Sequence, residues 1–571
     1  MISTYAAVVA VCVSALALGQ AAICLCGVRR WSWLAPVVGL ALLCALCWGT
    51  VRLPGDGVVP AVVVLVLTLV AVIYLRGRVE GTGEALAAGW PVALAALLAA
   101  SLPFAVEGHF GILGTSFNPD MSQHLLAADR LAEGHSSQLL NQGYPLGPHS
   151  IVVALNKGLG VGLVQGFSGL TIAVAILACL TALAAFADLP LLPRTAGALL
   201  IGLAYVVASY FAQGAFKETM QALYVLGFVL ALRESTRTWG DLRQRFVPAA
   251  LIAVGSVYTY SFPGLIWLGG AAVLWLMVAR PPVRPLGLAF LAFFVLIAPE
   301  IGRMLDFHSF ETFDPNGPGI GNLFGQISPF EVLGIWPSGD FRLAPGDGAV
   351  PAVAYYLGIA FALALFVYGV VQLWCRRETA ILAGLGAAAL AYAAARLGGT
   401  PYTAAKAIEI AAPLVALAIL LPLAGVAGRL MGAMRPKGAP QRLLPLAAAL
   451  FVAAAGVCSL LALANAPVGP TSYSSKLSDY RRLVGEGPTL VVASPQLLAE
   501  QHGSPFLSWE LRGGRVCIQS SDEADGRPPA GVRYVIREGD DWTLTKVHRP
   551  APGKTPCPLI AERQARQGPA R

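Results

Sequence analysis

The feature that most constrains this chain is a series of long apolar runs, each close to the length needed to cross a membrane. One of them, "VVPAVVVLVLTLVAVIYL" at 58–75, contains no charged residue. Because a bilayer core about 30 Å thick requires about 20 apolar residues in a helix, each run is a candidate span. The length rule predicts about fourteen spans. They lie near 5–27, 33–50, 58–75, 86–106, 165–187, 195–213, 219–232, 247–261, 264–279, 285–302, 350–374, 379–396, 404–425 and 443–465.

Composition supports the same class. Of the 571 residues, 56% are hydrophobic and only 12% are charged, whereas a soluble domain carries about 25% charged residues. The sequence therefore predicts an α-helical polytopic membrane protein. Residues 1–20 contain no basic residue and continue into more apolar sequence, so they are expected to form a first span and not a cleaved signal. The net charge of +8 reports topology, and no nucleic-acid partner is expected.

The distribution of Lys and Arg predicts the orientation. Short connections that carry several basic residues alternate with connections that carry one or none, and positive charge favours the cytoplasmic side. The basic connections contain Arg29 and Arg30, Arg76 and Arg78, Arg194, the segment "RESTRTWGDLRQRF", Arg280 and Arg284, Arg376 and Arg377, and "RLMGAMRPKGAPQR". This pattern predicts a multi-pass protein of the cytoplasmic membrane with both termini outside.

Three substantial pieces then lie outside: a loop at 107–164, a second loop at 303–349, and everything after the last span. We divide the chain into N-terminal transmembrane helices (1–85), a transmembrane core with the two loops (86–466), and an extracytoplasmic domain (467–571). The last piece alternates strand-like runs with a helix, which predicts a small α/β domain. Its Pro-rich basic tail is expected to be partly disordered.

Ten cysteines are present, and two of them, Cys517 and Cys557, lie in the C-terminal piece. An oxidising compartment favours a disulfide between them, with two free thiols as the alternative. The remaining eight lie in or near spans without an accompanying His or carboxylate, so no metal site is predicted there.

The first outer loop holds the most unusual polar segment, "FNPDMSQHLLAADRLAEG" at 117–134. Asn-Pro-Asp is a helix-start pattern, and His124 follows Asp120 at i+4 and shares its helix face. The plain interpretation is a surface helix with a capping Asp120. The functional interpretation is a site, because Tyr144 and His149 follow in a long, turn-rich return to the membrane.

Other polar residues are predicted on the same side. Lys217 and Glu218 start one span, with a surface ion pair between them as the simple alternative. Arg396 ends a span, and Lys406 begins the next; both suit a lipid phosphate, whereas snorkelling is the alternative for Lys406. In the second loop, a divalent-metal site stays an open alternative at Asp306, His308, Glu311 and Asp314. Six aromatic residues of the same loop suit either sugar stacking or membrane anchoring. These aromatics are Phe307, Phe310, Phe313, Phe324, Trp336 and Phe341.

In layout, residues 86–466 resemble the GT-C class of membrane glycosyltransferases. The resemblance rests on "NPDMSQHLLAADRLAEG" in a large outer loop before a returning helix, together with the outer α/β appendage. It implies a polyprenyl-phosphate sugar as donor substrate, no other certain cofactor, and a glycan or lipid acceptor. It also implies that Asp120 is the general base, and that Lys406, Arg396 and Lys217 hold the lipid phosphate. The first three spans are then an N-terminal addition.

The resemblance thus implies an inverting hexosyl- or pentosyltransferase that acts on an envelope glycan or lipid at the outer face. His124 is predicted to orient Asp120 or the acceptor. Tyr144 and His149 are candidates for substrate binding, and a structural role is the alternative for His149. Two other functions stay open: a lipid-sugar flippase without chemistry, and a non-catalytic membrane protein that binds envelope polymer. Asp120→Asn distinguishes them, because only the enzyme needs its carboxylate.

Overall fold

The protein is an assembly of apolar helices with a small sheet at the C-terminal side. The computed structural model describes residues 1–549 except 56, 116–119, 136, 241, 308–318, 432–438, 486, 500–502 and 525–527. The first helices are α1 Ile2–Leu25, α2 Ala35–Val51, α3 Val58–Leu75, α4 Thr82–Ala100, α5 Leu102–Glu107, α6 Met121–Ala132, α7 Gln138–Asn141, α8 Gly147–Leu159, α9 Leu163–Phe186, α10 Leu191–Gly202 and α11 Tyr205–Ala212. They are followed by α12 Phe216–Arg237, α13 Val247–Ala279, α14 Val283–Ile297, α15 Ile301–Phe307, α16 Ala352–Cys375, α17 Thr379–Gly398, α18 Pro401–Met431, α19 Ala439–Ala464, α20 Ser475–Val484, α21 Pro495–Ala499 and α22 Gly503–Glu510.

Ten helical segments of the described chain are long and apolar enough to cross a membrane, and the pair α10 and α11, bent by 55°, makes an eleventh if it is one span. This confirms the predicted class but is fewer than the predicted fourteen. Three differences account for the reduction from fourteen to eleven spans. The run at 33–50 is a 17-residue helix, the run at 219–232 belongs to the more polar α12, and the runs at 247–261 and 264–279 form one broken helix.

The break in α13 turns it into a hairpin. Ser261 has φ 59°, a left-handed conformation that costs energy for a residue with a side chain. The rings of Phe246, just before α13, and Trp275, near its end, are 5.5 Å apart, so the two halves run antiparallel. Gln221 of α12 donates to the carbonyl of Gly264 at 2.9 Å and stabilises the tip. The predicted separation near Pro263 is therefore present, because α13 consists of two antiparallel segments joined at Ser261 and is a single helix only in the count of ten.

The N-terminal helices pack tightly into the rest of the protein. A Cβ added to Gly39 would lie 1.7 Å from the carbonyl oxygen of Ala15, and one added to Gly19 would lie 1.9 Å from that of Ala35. Small residues thus let the backbones of α1 and α2 touch, as is common between helices in membranes. These helices also contact α8, α9 and α13. The division at residue 85 stays a prediction.

The contact between α1 and α2 gives a direct test. Gly39→Ala places a methyl group against the carbonyl of Ala15, so we expect a loss of about 1–3 kcal/mol in the free energy of unfolding. Gly49, in the same helix, has nothing within 4 Å of a built Cβ and provides the matched control. Gly49→Ala should be neutral or slightly stabilising. Thermal unfolding of the two purified variants in one detergent checks this; an equal shift in both would contradict the close approach.

Contacts join two pairs of the basic connections. The Glu80 N–H donates to the carbonyl of Arg29 at 2.8 Å, and Glu378, beside Arg376 and Arg377, forms ion pairs with Arg233 at 3.0 Å and with Arg237 at 2.8 Å. The predicted outer segments also meet each other, since Arg303 donates to the carbonyl of Leu140 at 2.9 Å. Each of these contacts joins two segments that the charge pattern predicts on the same side of the membrane. The side of the membrane on which each group lies stays a prediction.

The C-terminal piece contains a four-stranded mixed sheet in the order β2-β1-β3-β4. Its strands are β1 Thr489–Ala493, β2 Val516–Ser520, β3 Tyr534–Arg537 and β4 Thr543–Lys546. Strand β1 pairs in parallel with β2 and β3, and β3 pairs antiparallel with β4. Alternate residues of β1 enter two separate apolar clusters, because successive side chains in a strand face opposite sides. This confirms the predicted small α/β unit.

Candidate functional site

The first outer loop places Asp120 at the start of a helix. Helix α6 begins at Met121, directly after Asp120, as the Asn-Pro-Asp pattern predicts. The Asp120 carboxylate makes no capping hydrogen bond to the backbone of α6, so the capping role that was its plain interpretation is not what holds it. Asp120 is half-buried. Helix α6 packs against α8, which returns toward the membrane core.

A buried ion pair lies close by, between the N-terminal ends of α12 and α18. Lys406 Nζ is 2.9 Å from Glu218 Oε1, and the two side chains are 17% and 8% exposed. The hydroxyl of Tyr260, at the tip of the α13 hairpin, donates to the same Glu218 oxygen at 3.4 Å. Lys406 also lies 4.3 Å from the centre of the Tyr402 ring. The lysine is thus directed inward, and snorkelling does not describe it.

Lys217 has a different kind of partner. It donates a hydrogen bond to the hydroxyl of Tyr144 and lies 3.8 Å from the centre of that ring. Both residues are buried, and Glu218 is directed to Lys406. The alternative of a surface bridge between Lys217 and Glu218 is therefore wrong. We call Tyr144, Lys217, Glu218, Tyr260 and Lys406 the lysine cluster.

Asp120 belongs to the surroundings of this cluster. Its carboxylate interacts electrostatically with Lys217 and Tyr402. Burial, with the negative charges of Glu218 and Asp120, raises the pKa of Tyr144 well above its usual value, so the hydroxyl stays protonated at neutral pH. The lysine cluster and Asp120 together place two lysines and a half-buried carboxylate in one region that the sequence distributes over three segments.

Two histidines connect α6 and α8 beside the cluster. His124 Nδ1 and His149 Nε2 are 3.0 Å apart, and both rings pack on Phe216. His149 is fully buried. Burial, with the nearby His124 and Lys217, lowers the pKa of His149 well below its usual value, so its ring is neutral in the folded protein. This geometry supports a structural role for His149.

The neutral His149 predicts a pH dependence of stability. The unfolded chain protonates this residue near its ordinary pKa of 6.5, whereas the folded protein does not. Below that pH the unfolded state binds more protons, so the free energy of unfolding should fall progressively from about pH 6.5 downward and be unaffected by His149 above it. Unfolding temperatures between about pH 8 and about pH 5.5 measure the slope.

His149→Gln is the variant and His135→Gln, at a side chain that is 60% exposed, is the matched control. The decrease in the free energy of unfolding below about pH 6.5 should be smaller in His149→Gln than in the wild type, and it should be unchanged in His135→Gln. An unchanged slope in His149→Gln would show that another group dominates the pH dependence.

A second set of contacts holds the segment that carries Tyr144. Arg303 donates to the carbonyl oxygens of Leu140 at 2.9 Å and Tyr144 at 2.8 Å. Its Nε donates to Glu300 at 2.9 Å, and Trp48 Nε1 donates to the other oxygen of Glu300 at 2.7 Å. Arg303 therefore fixes the backbone of the first loop to α2 and to the end of the α14–α15 span.

Loss of this guanidinium should destabilise the loop. Arg303→Ala removes the nearest charged partner of the buried Glu300 and the donor to two carbonyl groups, and breaking a buried pair costs about 3–5 kcal/mol. Arg52 provides the matched control, because it lies 3.9 Å from the same Glu300 but is 48% exposed. Arg52→Ala should cost less than about 1 kcal/mol. Chemical denaturation of both variants measures the difference, and similar losses would refute the structural role of Arg303.

Glu409 lies one turn after Lys406 in α18 and is completely buried. Neither of its carboxyl oxygens has a hydrogen-bond partner in the described structure. Lys406 and Glu218 interact with it electrostatically. An ionisable group at this depth is costly to keep, which makes Glu409 a functional candidate together with Lys406.

Arg396 is separate from this arrangement. It is exposed in the last turn of α17, and no contact in the described structure joins it to the lysine cluster. Its predicted role in phosphate binding therefore has no support from the geometry, in contrast to Lys217 and Lys406.

The second loop is partly described. His308, Glu311, Asp314, Phe310 and Phe313 lie outside the described residues, and in the rest of the chain no group of three or more His, Cys, Asp or Glu is placed to hold a metal. Phe307, Trp336 and Phe341 are buried. These three rings therefore pack inside the protein and are not a sugar-stacking or lipid-facing surface. Phe324 is exposed, and the Arg342 guanidinium lies 4.5 Å from the centre of its ring.

Cys517 lies on the edge strand β2 and is disulfide-bonded. Its predicted partner, Cys557, lies outside the described residues, as does the tail predicted to be partly disordered. The remaining eight cysteines are free thiols.

No protein-family model and no curated protein matches this sequence. Among solved structures, the cryo-EM structure of the arabinofuranosyltransferase AftD from mycobacteria is similar, with a TM-score of 0.52 and 17% sequence identity. The two chains share a fold. The similarity covers 79% of this chain and 35% of AftD, so this chain spans about a third of AftD's length. The layout resemblance to the GT-C class is confirmed, since AftD is a GT-C enzyme.

Several members of the site were missed from the sequence. Tyr260 and Tyr402 lie beside apolar runs, where a tyrosine is common as an interfacial anchor, and nothing in their spacing points to a lysine. Glu300 and Arg303 had a usable signal: a carboxylate at the end of a span with a cation three residues later. Glu409 was not missed in this way, because the sequence marks it, like Lys406, as an ionisable residue inside a span.

Proposed function

We propose that this protein is a membrane glycosyltransferase that transfers a sugar from a polyprenyl-phosphate donor to an envelope glycan or lipid acceptor on the outer face of the cytoplasmic membrane. The observation that carries the proposal is the placement of two buried lysines beside the half-buried Asp120, on a fold shared with an arabinofuranosyltransferase. Because fold similarity alone is a limited argument for activity, the proposal rests mainly on the geometry of the site.

In the proposed reaction, an acceptor hydroxyl attacks the anomeric carbon of the donor sugar. The bond from that carbon to the phosphate oxygen breaks, and the electron pair leaves with the polyprenyl phosphate. Asp120 takes the hydroxyl proton, which a carboxylate within hydrogen-bond reach does effectively. A single displacement inverts the anomeric configuration. His124 positions the start of α6 through its contact with His149.

The two lysines supply the charge for the leaving phosphate. Lys217 is held by the neutral hydroxyl of Tyr144, so its charge is not cancelled by a direct ion pair among the described contacts, and a phosphate oxygen can replace that hydroxyl. Lys406, which is paired with Glu218, provides a second positive charge in the same region. Positive groups placed in advance in a partly dehydrated site stabilise developing negative charge far better than they do in water.

The proposal predicts separable losses. Asp120→Asn should lower turnover by about 10²–10⁴-fold while the donor still binds, because only the proton acceptor is removed. Lys217→Met should weaken donor binding by about tenfold or more, and it leaves only a neutral tyrosine without its partner. Transfer from a panel of labelled polyprenyl-phosphate sugars, measured with protein in liposomes, tests both, with direct donor binding as the second readout.

Asp188→Asn and Lys476→Met are the matched controls, since both residues are exposed and lie away from the lysine cluster. Wild-type turnover in Asp120→Asn would exclude Asp120 as the base. Turnover lost equally in the controls would point to a general loss of folding.

The buried Glu409 favours one competing function. Unpaired carboxylates within spans occur in proton-coupled transporters, so a lipid-sugar flippase is the second candidate. The same liposomes distinguish the two. Movement of labelled lipid between leaflets without sugar transfer, and its loss in Glu409→Gln, would favour the flippase.

A further inference from the structure

A polar cleft lies between the first outer loop and the C-terminal domain, away from the lysine cluster. Its volume is about 470 Å³. One wall consists of the C-terminal end of α6 and the α8–α9 turn, and the other of α20, α22 and the segment before α20. Asp129 of this wall is nine residues beyond Asp120, or about 14 Å along the helix axis. No residue of the lysine cluster lines the cleft.

The cleft has the size and lining of a ligand site. Its volume falls within the range of about 300–1,000 Å³ typical of small-molecule pockets. Unlike most such pockets it is strongly polar, because ten of its fifteen lining residues carry polar or charged side chains. Gln165 extends from one wall, and Thr471, Ser472 and Ser478 extend from the other. Hydroxyl and amide groups offer both donors and acceptors, which is what a sugar hydroxyl requires.

The charges around the cleft are largely compensated. Arg512 Nε is 3.7 Å from Asp129 Oδ1, and the Arg512 guanidinium lies 3.5 Å from the centre of the Trp509 ring. Arg481 donates to the backbone carbonyl of Glu510 at 2.8 Å and lies 3.4 Å from its buried carboxylate. Each arginine is therefore held in a fixed orientation with an acidic partner. A balanced, rigid set of hydrogen-bond donors suits a neutral polyol better than an anion.

Contacts between the first outer loop and the C-terminal segment also fix the two walls relative to each other. The backbones of Ile112 and Gly469 exchange hydrogen bonds at 3.2 and 2.9 Å, and the Gly114 N–H donates to the carbonyl of Pro467 at 2.8 Å. Trp509 of α22 is buried in the same apolar cluster as α6. Because the walls are fixed by these contacts, the cleft is formed before any ligand arrives, which reduces the ordering cost of binding.

We propose that this cleft binds a neutral oligosaccharide, namely a part of the glycan acceptor remote from the reacting hydroxyl. The role of this oligosaccharide as an acceptor rests on the proposed transferase function, whereas the binding of an oligosaccharide does not. A chain seated in the cleft extends along α6 toward Asp120. The cleft then selects acceptors by length, because a monosaccharide cannot occupy the cleft and reach Asp120 together.

The test uses the full chain in lipid nanodiscs and a panel of neutral linear tetrasaccharides of arabinofuranose, mannose and glucose. Binding is measured by saturation-transfer NMR and titration calorimetry. Ser478→Trp fills the cleft from α20, and Ser475→Trp places the same side chain at an exposed position of the same helix. We expect at least one tetrasaccharide to bind the wild type and Ser475→Trp with equal Kd, and Ser478→Trp to bind it at least tenfold more weakly.

Gln165→Ala, in the opposite wall, provides a second variant that removes hydrogen bonds without adding bulk, and it should weaken binding several-fold. Failure of every tetrasaccharide to bind the wild type would overturn the proposal, as would equal Kd values for Ser478→Trp and Ser475→Trp. Stronger binding of inorganic phosphate than of any tetrasaccharide at the cleft, lost in Ser478→Trp, would overturn the choice of a neutral ligand.

Failure of this proposal and failure of the proposed function give different results. Tetrasaccharide binding that depends on Ser478, in a protein without sugar transfer from any donor, would keep the cleft and remove the transferase. Sugar transfer that depends on Asp120, without cleft-dependent binding, would keep the transferase and remove the cleft.

Discussion

The ion pair between Lys406 and Glu218 is the contact around which the candidate site is organised. It joins the N-terminal ends of α12 and α18, two helices that are almost entirely buried at that point. A charge at this depth is tolerated only when a partner compensates it, so removing either residue leaves an isolated ion in an apolar setting. The pair therefore fixes where these two helices begin relative to each other. The Tyr260 hydroxyl, directed to the same carboxylate, ties the tip of the α13 hairpin to this point.

The outer loop is then positioned on this base by a separate set of contacts. Arg303 holds the backbone on either side of the turn before α8, Lys217 holds the Tyr144 side chain, and the pair His124 and His149 holds α6 against α8. As a result, Asp120 is presented from a firmly attached helix and not from a free loop. A catalytic carboxylate gains from such positioning, because its reaction depends on a narrow range of distance and angle.

The C-terminal domain continues the same surface. Its helix α22 lies against α6, and Trp509 joins the apolar cluster of the membrane part. The C-terminal domain thus supplies one wall of the polar cleft at the C-terminal end of α6. Helix α6, which begins directly after Asp120, therefore connects two regions of different chemistry: the lysine cluster, which we propose binds a lipid phosphate, and the polar cleft, which we propose binds a glycan.

The sequence by itself determined the class, most of the helices and the small α/β unit, because burial in lipid or in a sheet imposes periodic and length rules that act locally. It also pointed to Asp120, Lys217 and Lys406 as individual polar residues in unusual places. It did not reveal that Glu218 pairs with Lys406 rather than Lys217, that α13 folds back at Ser261, or that Arg396 stays exposed. Those facts depend on which helices become neighbours. A side chain chooses its partner from across the fold, and only the tertiary structure decides which partner that is.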